Sequence, residues 1–359
     1  MNLELLKRLC ETPGVPGREH RIRALIQNEI DGLFDEVRVD PMGSLICVRH
    51  ARDADGAALE SAPRTMVAAH MDQIGFLVRH LEKDGWLRVQ PVGGFDPRVL
   101  FARRVRVCPD LNDPAADLPG VLNPGGKPLH VSTPEERKKV PELAEFYIDL
   151  AMDADAVRER VRIGDMVVLD ARCDEVGDAV VSQALDNRVA CWLVIEAVRE
   201  LVGGGGAQPS ELHVVFTVQE EIGLRGAMAS AYTVKPDIGI AVDTTLCVDT
   251  PGVPEDQRCS VFGGGVALTV MDGSAIADAA IVDRMEALCE AHGIPHQRSL
   301  MARGGTDAGG MQRQVGGVRT FTLSVPTRYI HTVTEMIHRR DMAAGRDLLA
   351  AYLREGQGE

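Results

Sequence analysis

Four apolar runs in this chain each break off on a histidine or a carboxylate, and that repetition constrains the fold more than any other feature. Val67-Ala68-Ala69 runs into His70-Met71-Asp72, and Val214-Val215-Phe216-Thr217-Val218 into Gln219-Glu220-Glu221. Gly239-Ile240-Ala241-Val242 ends in Asp243, and Phe321-Thr322-Leu323-Ser324-Val325 leads through Pro326 to Ile330 and on to His331. Runs without polar alternation belong to strands buried on both faces, the kind that helices cover from either side. Between and around them, residues 187–202, 224–232, 275–292 and 338–354 carry helical patterning, with further strands near 264–271 and 318–324. Strand–helix alternation of this sort predicts an α/β sheet. Ligands of such sheets bind outside the carboxyl ends of the strands, where these polar residues fall.

The alternation is interrupted. Residues 2–11 and 17–34 read as amphipathic helices around the breaker Thr12-Pro13-Gly14-Val15-Pro16-Gly17, followed by strands near 36–40 and 45–49. From 73 to 180 the texture becomes short β-rich pieces and turns, with one helical candidate over 133–146. The expectation is two nested units: residues 1–72 and 181–359 as a discontinuous α/β domain, and 73–180 as a strand-rich insert. A length of 359 residues fits two domains.

Charge and composition remove several classes of function. A net charge of −14 is the wrong sign for binding phosphate backbones or an anionic membrane surface, so neither nucleic acid nor membrane is expected as a partner. Two Trp, four Tyr and eight Phe leave few stacking platforms for bases or sugars. The start, MNLELLKRLCETPG, lacks an apolar run of signal-peptide length. Eight cysteines occur without a CxxC pair, which predicts reduced, mostly buried thiols and a cytoplasmic protein. Any metal ligands must then come from His, Asp and Glu.

Taken singly, the polar strand ends have ordinary roles. His70 and His331 would be hydrogen-bonded surface residues, Asp186 a helix N-cap, Glu220-Glu221 a solvated pair and Asp243 a turn residue. Gathered on one sheet edge, they form an oxygen-and-nitrogen donor set that suits Zn²⁺, Co²⁺ or Mn²⁺. Adjacent glutamates allow one to bind a metal while its neighbour moves protons as a general base. A carboxylate bridging two ions, with one histidine on each, is the pattern of co-catalytic hydrolases. Asp72, two residues beyond His70, is placed to accept a hydrogen bond from the imidazole and joins Glu220 in the catalytic set.

With these residues assembled, the chain resembles the tetrahedral, or glutamyl/deblocking, aminopeptidases. The resemblance rests on Ala69-His70-Met71-Asp72-Gln73-Ile74-Gly75-Phe76, Ala184-Leu185-Asp186-Asn187-Arg188 and Thr217 through Ala227. Val242-Asp243-Thr244, Gly304-Gly305-Thr306-Asp307-Ala308 and Arg328-Tyr329-Ile330-His331-Thr332 extend it over essentially the whole chain. It implies a mixed-sheet α/β/α catalytic domain with an inserted, small β-barrel-like dimerisation domain. It also implies two divalent ions per subunit, zinc or cobalt before manganese, bridged by Asp186. His70 and Asp243 would complete one set of ligands, Glu221 and His331 the other, with Glu220 as general base. The implied activity is removal of N-terminal residues from short peptides by a homo-oligomer, a dimer assembling to a dodecamer. The same constellation would also serve a deacylase or amidohydrolase on N-acyl amino acids, and a catalytically inactive scaffold would keep the fold. Two positions depart from the family pattern: Asn187 stands where a second Asp is common, and Gly264 where a Lys is common. Arg225, Arg303 and Arg328 are the candidates for binding a substrate carboxylate.

Overall fold

A computed structural model describes residues 1–314 and 316–358. Its frame is an 11-stranded mixed sheet. Four strands, Glu211–Thr217, Arg64–His70, Ile238–Leu246 and Arg319–Arg328, lie side by side and mutually parallel at its centre. Thr217 pairs in register with His70, and Asp243 with Ser324, so the carboxyl ends of all four open on one edge. Antiparallel strands flank them: Glu36–Val39 and Leu45–Arg49 on one side, and Glu335–His338, Ala179–Ser182 and Asp174–Val176 on the other. A parallel pair, Val266–Met271 and His296–Leu300, branches from Arg319–Arg328.

Period-two alternation distributes the central side chains to two faces. Val67 and Ala69, with Val214, Phe216, Ile240 and Val242, pack beneath the helices Leu185–Gly204, Ala279–His292 and Arg339–Glu355. Met66, Ala68 and Val215 face the other way, onto the helices Arg225–Val234 and Asp307–Gln312. That second face is rich in alanine (Ala227, Ala231, Ala241 and Ala308 are buried there), which lets short helices approach the sheet closely.

The insert is a closed barrel of six strands, in the order Gly75–Leu81, Leu87–Val92, Phe146–Asp149, Leu118–Pro124, Arg103–Cys108, Met166–Leu169. It has its own core, in which Phe76, Leu87, Leu122 and Ile148 are buried. The mixed α/β fold with a barrel insert follows the sequence reading in class but differs in two particulars. The helix expected over 133–146 stops at Lys138. Thr133 and Glu136 form a capping box that starts it, but Pro141 biases Val140 away from helical dihedrals, and Phe146–Asp149 is drawn into the barrel. The insert also ends sooner than residue 180. The last barrel strand finishes at Leu169, and Asp174–Val176 pairs with Ala179–Ser182 as a hairpin of the large sheet. Among the described residues the eight cysteines are free thiols, seven of them buried, and no helix is long and apolar enough to cross a membrane.

Candidate metal centre

The carboxyl edge of the sheet gathers His70, Asp72, Asp186, Glu220, Glu221, Asp243 and His331. Asp186 sits in their midst. It lies at the start of the helix Leu185–Gly204, in non-helical backbone (φ −77°, ψ 103°) after a left-handed Ala184. Its two oxygens face different imidazoles, Oδ1 3.3 Å from His70 Nε2 and Oδ2 3.6 Å from His331 Nε2. Asp243 Oδ1 stands 3.7 Å from His70 Nε2, and Glu221 Oε2 3.4 Å from His331 Nε2. The donor atoms of His70, Asp186 and Asp243 fall within 4.8 Å of one another, as do those of Asp186, Glu221 and His331. Glu220 Oε2 lies 3.7 Å from His70 Nε2, on the same side of the cluster.

The residues behind these donors hold them through the backbone. The Asp72 carboxylate stands 3.7 Å from His70 Nδ1, an ion-pair distance and not the hydrogen bond that its spacing had implied. His70 Nδ1 hydrogen-bonds the Asp72 main-chain carbonyl at 3.1 Å, and the two carboxylate oxygens accept from the amides of Glu220 (3.0 Å) and Glu221 (3.1 Å). Glu335, which sequence reasoning missed, accepts from the amides of Asp186 (2.9 Å) and His331 (2.8 Å). Glu19 takes the amides of Gly17 and of Gln219, the latter in left-handed backbone. Asp307 accepts from the Thr217 hydroxyl. Asp307 and Glu19 fall in stretches that fit the family resemblance, Gly304–Ala308 and Pro13–Glu19, without a role assigned to either, whereas the only signal for Glu335 is an acid at the start of a strand. The fully buried Arg188 ties the start of the helix to the carbonyls of Leu9, Thr12 and Gly14.

So many acids in so little solvent repel one another. Burial, reinforced by Asp186, pushes Glu221 well above the usual carboxylate range, and burial does the same to Glu220. Burial also raises Asp243 to about 6 and Asp307 to about 7. Burial would lower His70, but Glu220, Asp186 and Asp243 together hold it well above the usual histidine value. Only Asp186 goes the other way: the two imidazoles outweigh its burial and hold it below the usual range. Glu221 Oε1 is buried without a hydrogen-bond partner. An orphaned carboxylate oxygen amid crowded anions and imidazoles is the environment that a divalent cation satisfies, and the oxygen and nitrogen donors suit one.

A cavity of about 600 Å³ opens on the cluster, its walls including Leu224, Leu246, Met301 and Ile330 together with Thr244 and Arg303. Of the three candidate arginines only Arg303 lines it. Arg328 is engaged by Asp249 at 2.7 and 2.8 Å and stacks over Phe262, and Arg225 lines a separate depression beside Met42 and Tyr232. The two departures from the family pattern have local reasons. Asn187 is fully buried and its Nδ2 donates to the Val242 carbonyl at 2.9 Å, a bond that an ionised aspartate has no proton to make. A Cβ at Gly264 would stand 2.7 Å from Gln297 Nε2, so the Gln297 amide fills the space a longer side chain would need.

A carboxylate set between two imidazoles, each with a further carboxylate, at the carboxyl edge of an α/β sheet defines a class of metal-dependent hydrolase. The M42 glutamyl aminopeptidase family model matches residues 53–348, and the chain belongs to that family. A putative aminopeptidase of Acetivibrio thermocellus is 35% identical over 341 residues, 94% of each chain. The lysyl aminopeptidase of Pyrococcus furiosus is 33% identical, covering 98% of this chain and 96% of its own. Among solved structures, the TET1 peptidase of Pyrococcus horikoshii, which can assemble into a tetrahedron or a large octahedral shell, superposes with a TM-score of 0.83 at 30% identity over 98% of this chain and 99% of that one. The protein is a metal-dependent aminopeptidase.

Proposed function

We propose that this aminopeptidase trims short peptides from their N-termini using two divalent ions per subunit, zinc or cobalt, with manganese a third option. The observation that carries this reading is the Asp186 carboxylate, one oxygen toward each imidazole. His70, Asp186 and Asp243 would hold one ion, and Asp186, Glu221 and His331 the other. When bound, the ions supply Lewis acidity to the scissile carbonyl and acidify water. Glu220 is the general base: its carboxylate takes a proton from the attacking water and passes it to the departing amine nitrogen. Asp72 positions Glu220 and Glu221 by their amides. The apolar walls of the cavity receive the first side chain of the peptide, and Arg303 favours a carboxylate near it.

The barrel serves as a dimerisation module, and the dimers build a dodecamer in the cytoplasm. Support for assembly comes from the shells of the Pyrococcus horikoshii relative. Light scattering that returns a monomer would reject it. For the chemistry, the test is turnover of aminoacyl anilides by protein reconstituted with Zn²⁺ or Co²⁺, beside Glu220→Gln. We expect two ions in both proteins and a loss of about 10²- to 10⁴-fold in kcat for the variant. Preference for N-acetylated over free-amine substrates would transfer the site to deacylase chemistry, and turnover indifferent to chelator would reject the metal reading.

A further inference from the structure

Glu335 touches neither the cavity nor any donor atom of the cluster, yet it binds the two residues whose spacing the cluster depends on. It opens the strand Glu335–His338 and is 2% exposed. Its oxygens are divided, Oε2 accepting the Asp186 amide at 2.9 Å and Oε1 the His331 amide at 2.8 Å. Neither amide belongs to a regular ladder. Asp186 has non-helical dihedrals inside its helix, and His331 is a left-handed non-glycine residue (φ 64°) in the turn after Arg319–Arg328. Two amides from separate segments need one acceptor with two oxygens and no proton-bearing nitrogen between them. A carboxylate is the side chain that offers this. Packing alone would be better served by an apolar residue, since burying a carboxyl group is costly unless its hydrogen bonds are made.

We propose that Glu335 is a positioning residue for the Glu221–His331 half of the site: by clamping both amides it fixes the separation of the Asp186 carboxylate and the His331 imidazole, and so sets the metal affinity of that half. The inference rests on the two-ion reading above. A purely structural role would make Glu335 an anchor for its strand, and removing it would then lower stability without altering how the remaining protein binds metal.

The test is calorimetric titration of metal-free full-length protein with Zn²⁺, paired with thermal unfolding and with the visible absorption of the Co²⁺-loaded protein. Glu335→Gln keeps size and shape but turns an NH₂ toward one of the amides. We expect one of two Zn²⁺ dissociation constants to rise about 10- to 100-fold, the other to stay unchanged, and the Co²⁺ absorption of one site alone to change. Glu335→Asp keeps both acceptor oxygens on a shorter arm, so a smaller rise is expected, and it decides the matter if the glutamine variant does not fold. Two wild-type dissociation constants in a folded variant, whatever its melting temperature, overturn the inference and leave the two-ion reading intact. Wild-type protein that takes up no Zn²⁺ overturns both.

Discussion

The two halves of the proposed metal centre are built by different means. His70 and Asp243 sit on parallel strands, in register with neighbours on the sheet, and their side chains are buried to 2% and 7% exposure. Glu221 and His331 sit on the segments that follow strands, and the His331 side chain is 34% exposed. Ladder hydrogen bonds place the backbone of the first pair, helped by the Asn187 amide on the Val242 carbonyl and by the Asp72 carbonyl on the His70 ring. The second pair has no ladder, and two buried carboxylates, Asp72 and Glu335, hold its backbone instead. Precision at a loop-borne ligand therefore requires extra buried acids, and those acids add to the repulsion that bound cations would relieve.

The comparison breaks most visibly in the metal-free protein. His70 there is the cation on which Asp186, Glu220 and Asp243 converge. His70→Ala should cost about 3–5 kcal/mol of unfolding free energy, the range for losing one partner of a buried charged cluster. His331→Ala, at a more open position, should cost about 1 kcal/mol or less. Urea unfolding at pH 6 in chelator measures both. Because the folded-state value of His70 is raised, its contribution is present in full below the ordinary histidine value and fades as pH climbs through the raised one. Equal losses for the two variants would erase the distinction between the halves.

Asn187→Asp probes the strand-borne half from beneath. The substitution removes the donor to Val242, whose carbonyl immediately precedes Asp243. We expect a loss of about 1–3 kcal/mol in thermal or urea unfolding, the cost of leaving a buried acceptor unpaired. Because Val242 directly precedes Asp243, metal binding should weaken as well, at the His70–Asp243 half. A variant as stable as the parent would show that the Asn187 amide holds nothing.

The difference between the halves also explains what could be read from the sequence. His70 and Asp243 announce themselves because an apolar strand ends on each, and Glu220-Glu221 because the pair follows such a strand directly. His331 lies six residues beyond Val325, and Asp186 precedes a helix, so only their company identifies them. The roles of Glu335 and Glu19 are illegible in the same terms: what they bind is backbone amide, and a backbone amide has no letter in the sequence. The misread helix over 133–146 has a comparable cause. Its start signal at Thr133 is local and was legible, whereas its end is imposed by Pro141 together with a barrel strand whose partners lie far along the chain.

The smallest predicted effect tests the looser half most sharply, because it comes from the other unit of the molecule. Gly94, in the barrel between Leu87–Val92 and the turn Pro97–Val99, lies against the His331 imidazole, where an added Cβ would stand 3.3 Å from Nδ1. Gly94 does not have a left-handed backbone, so alanine there is a question of space alone. The ring must give by a few tenths of an ångström. Its backbone is held by Glu335, so the movement has to come from the side-chain torsions. Displacing a ring from its rotamer costs about 0.5–1.5 kcal/mol, which is about two- to tenfold in affinity. Gly94→Ala should accordingly weaken one of two Zn²⁺ sites by that factor in a calorimetric titration, with the melting temperature of the metal-free protein unchanged. If both sites weaken together, Asp186 transmits the strain across the centre and the halves are not independent. If neither does, the exposed imidazole has more freedom than its pinned backbone implies, and the barrel plays no part in shaping the site.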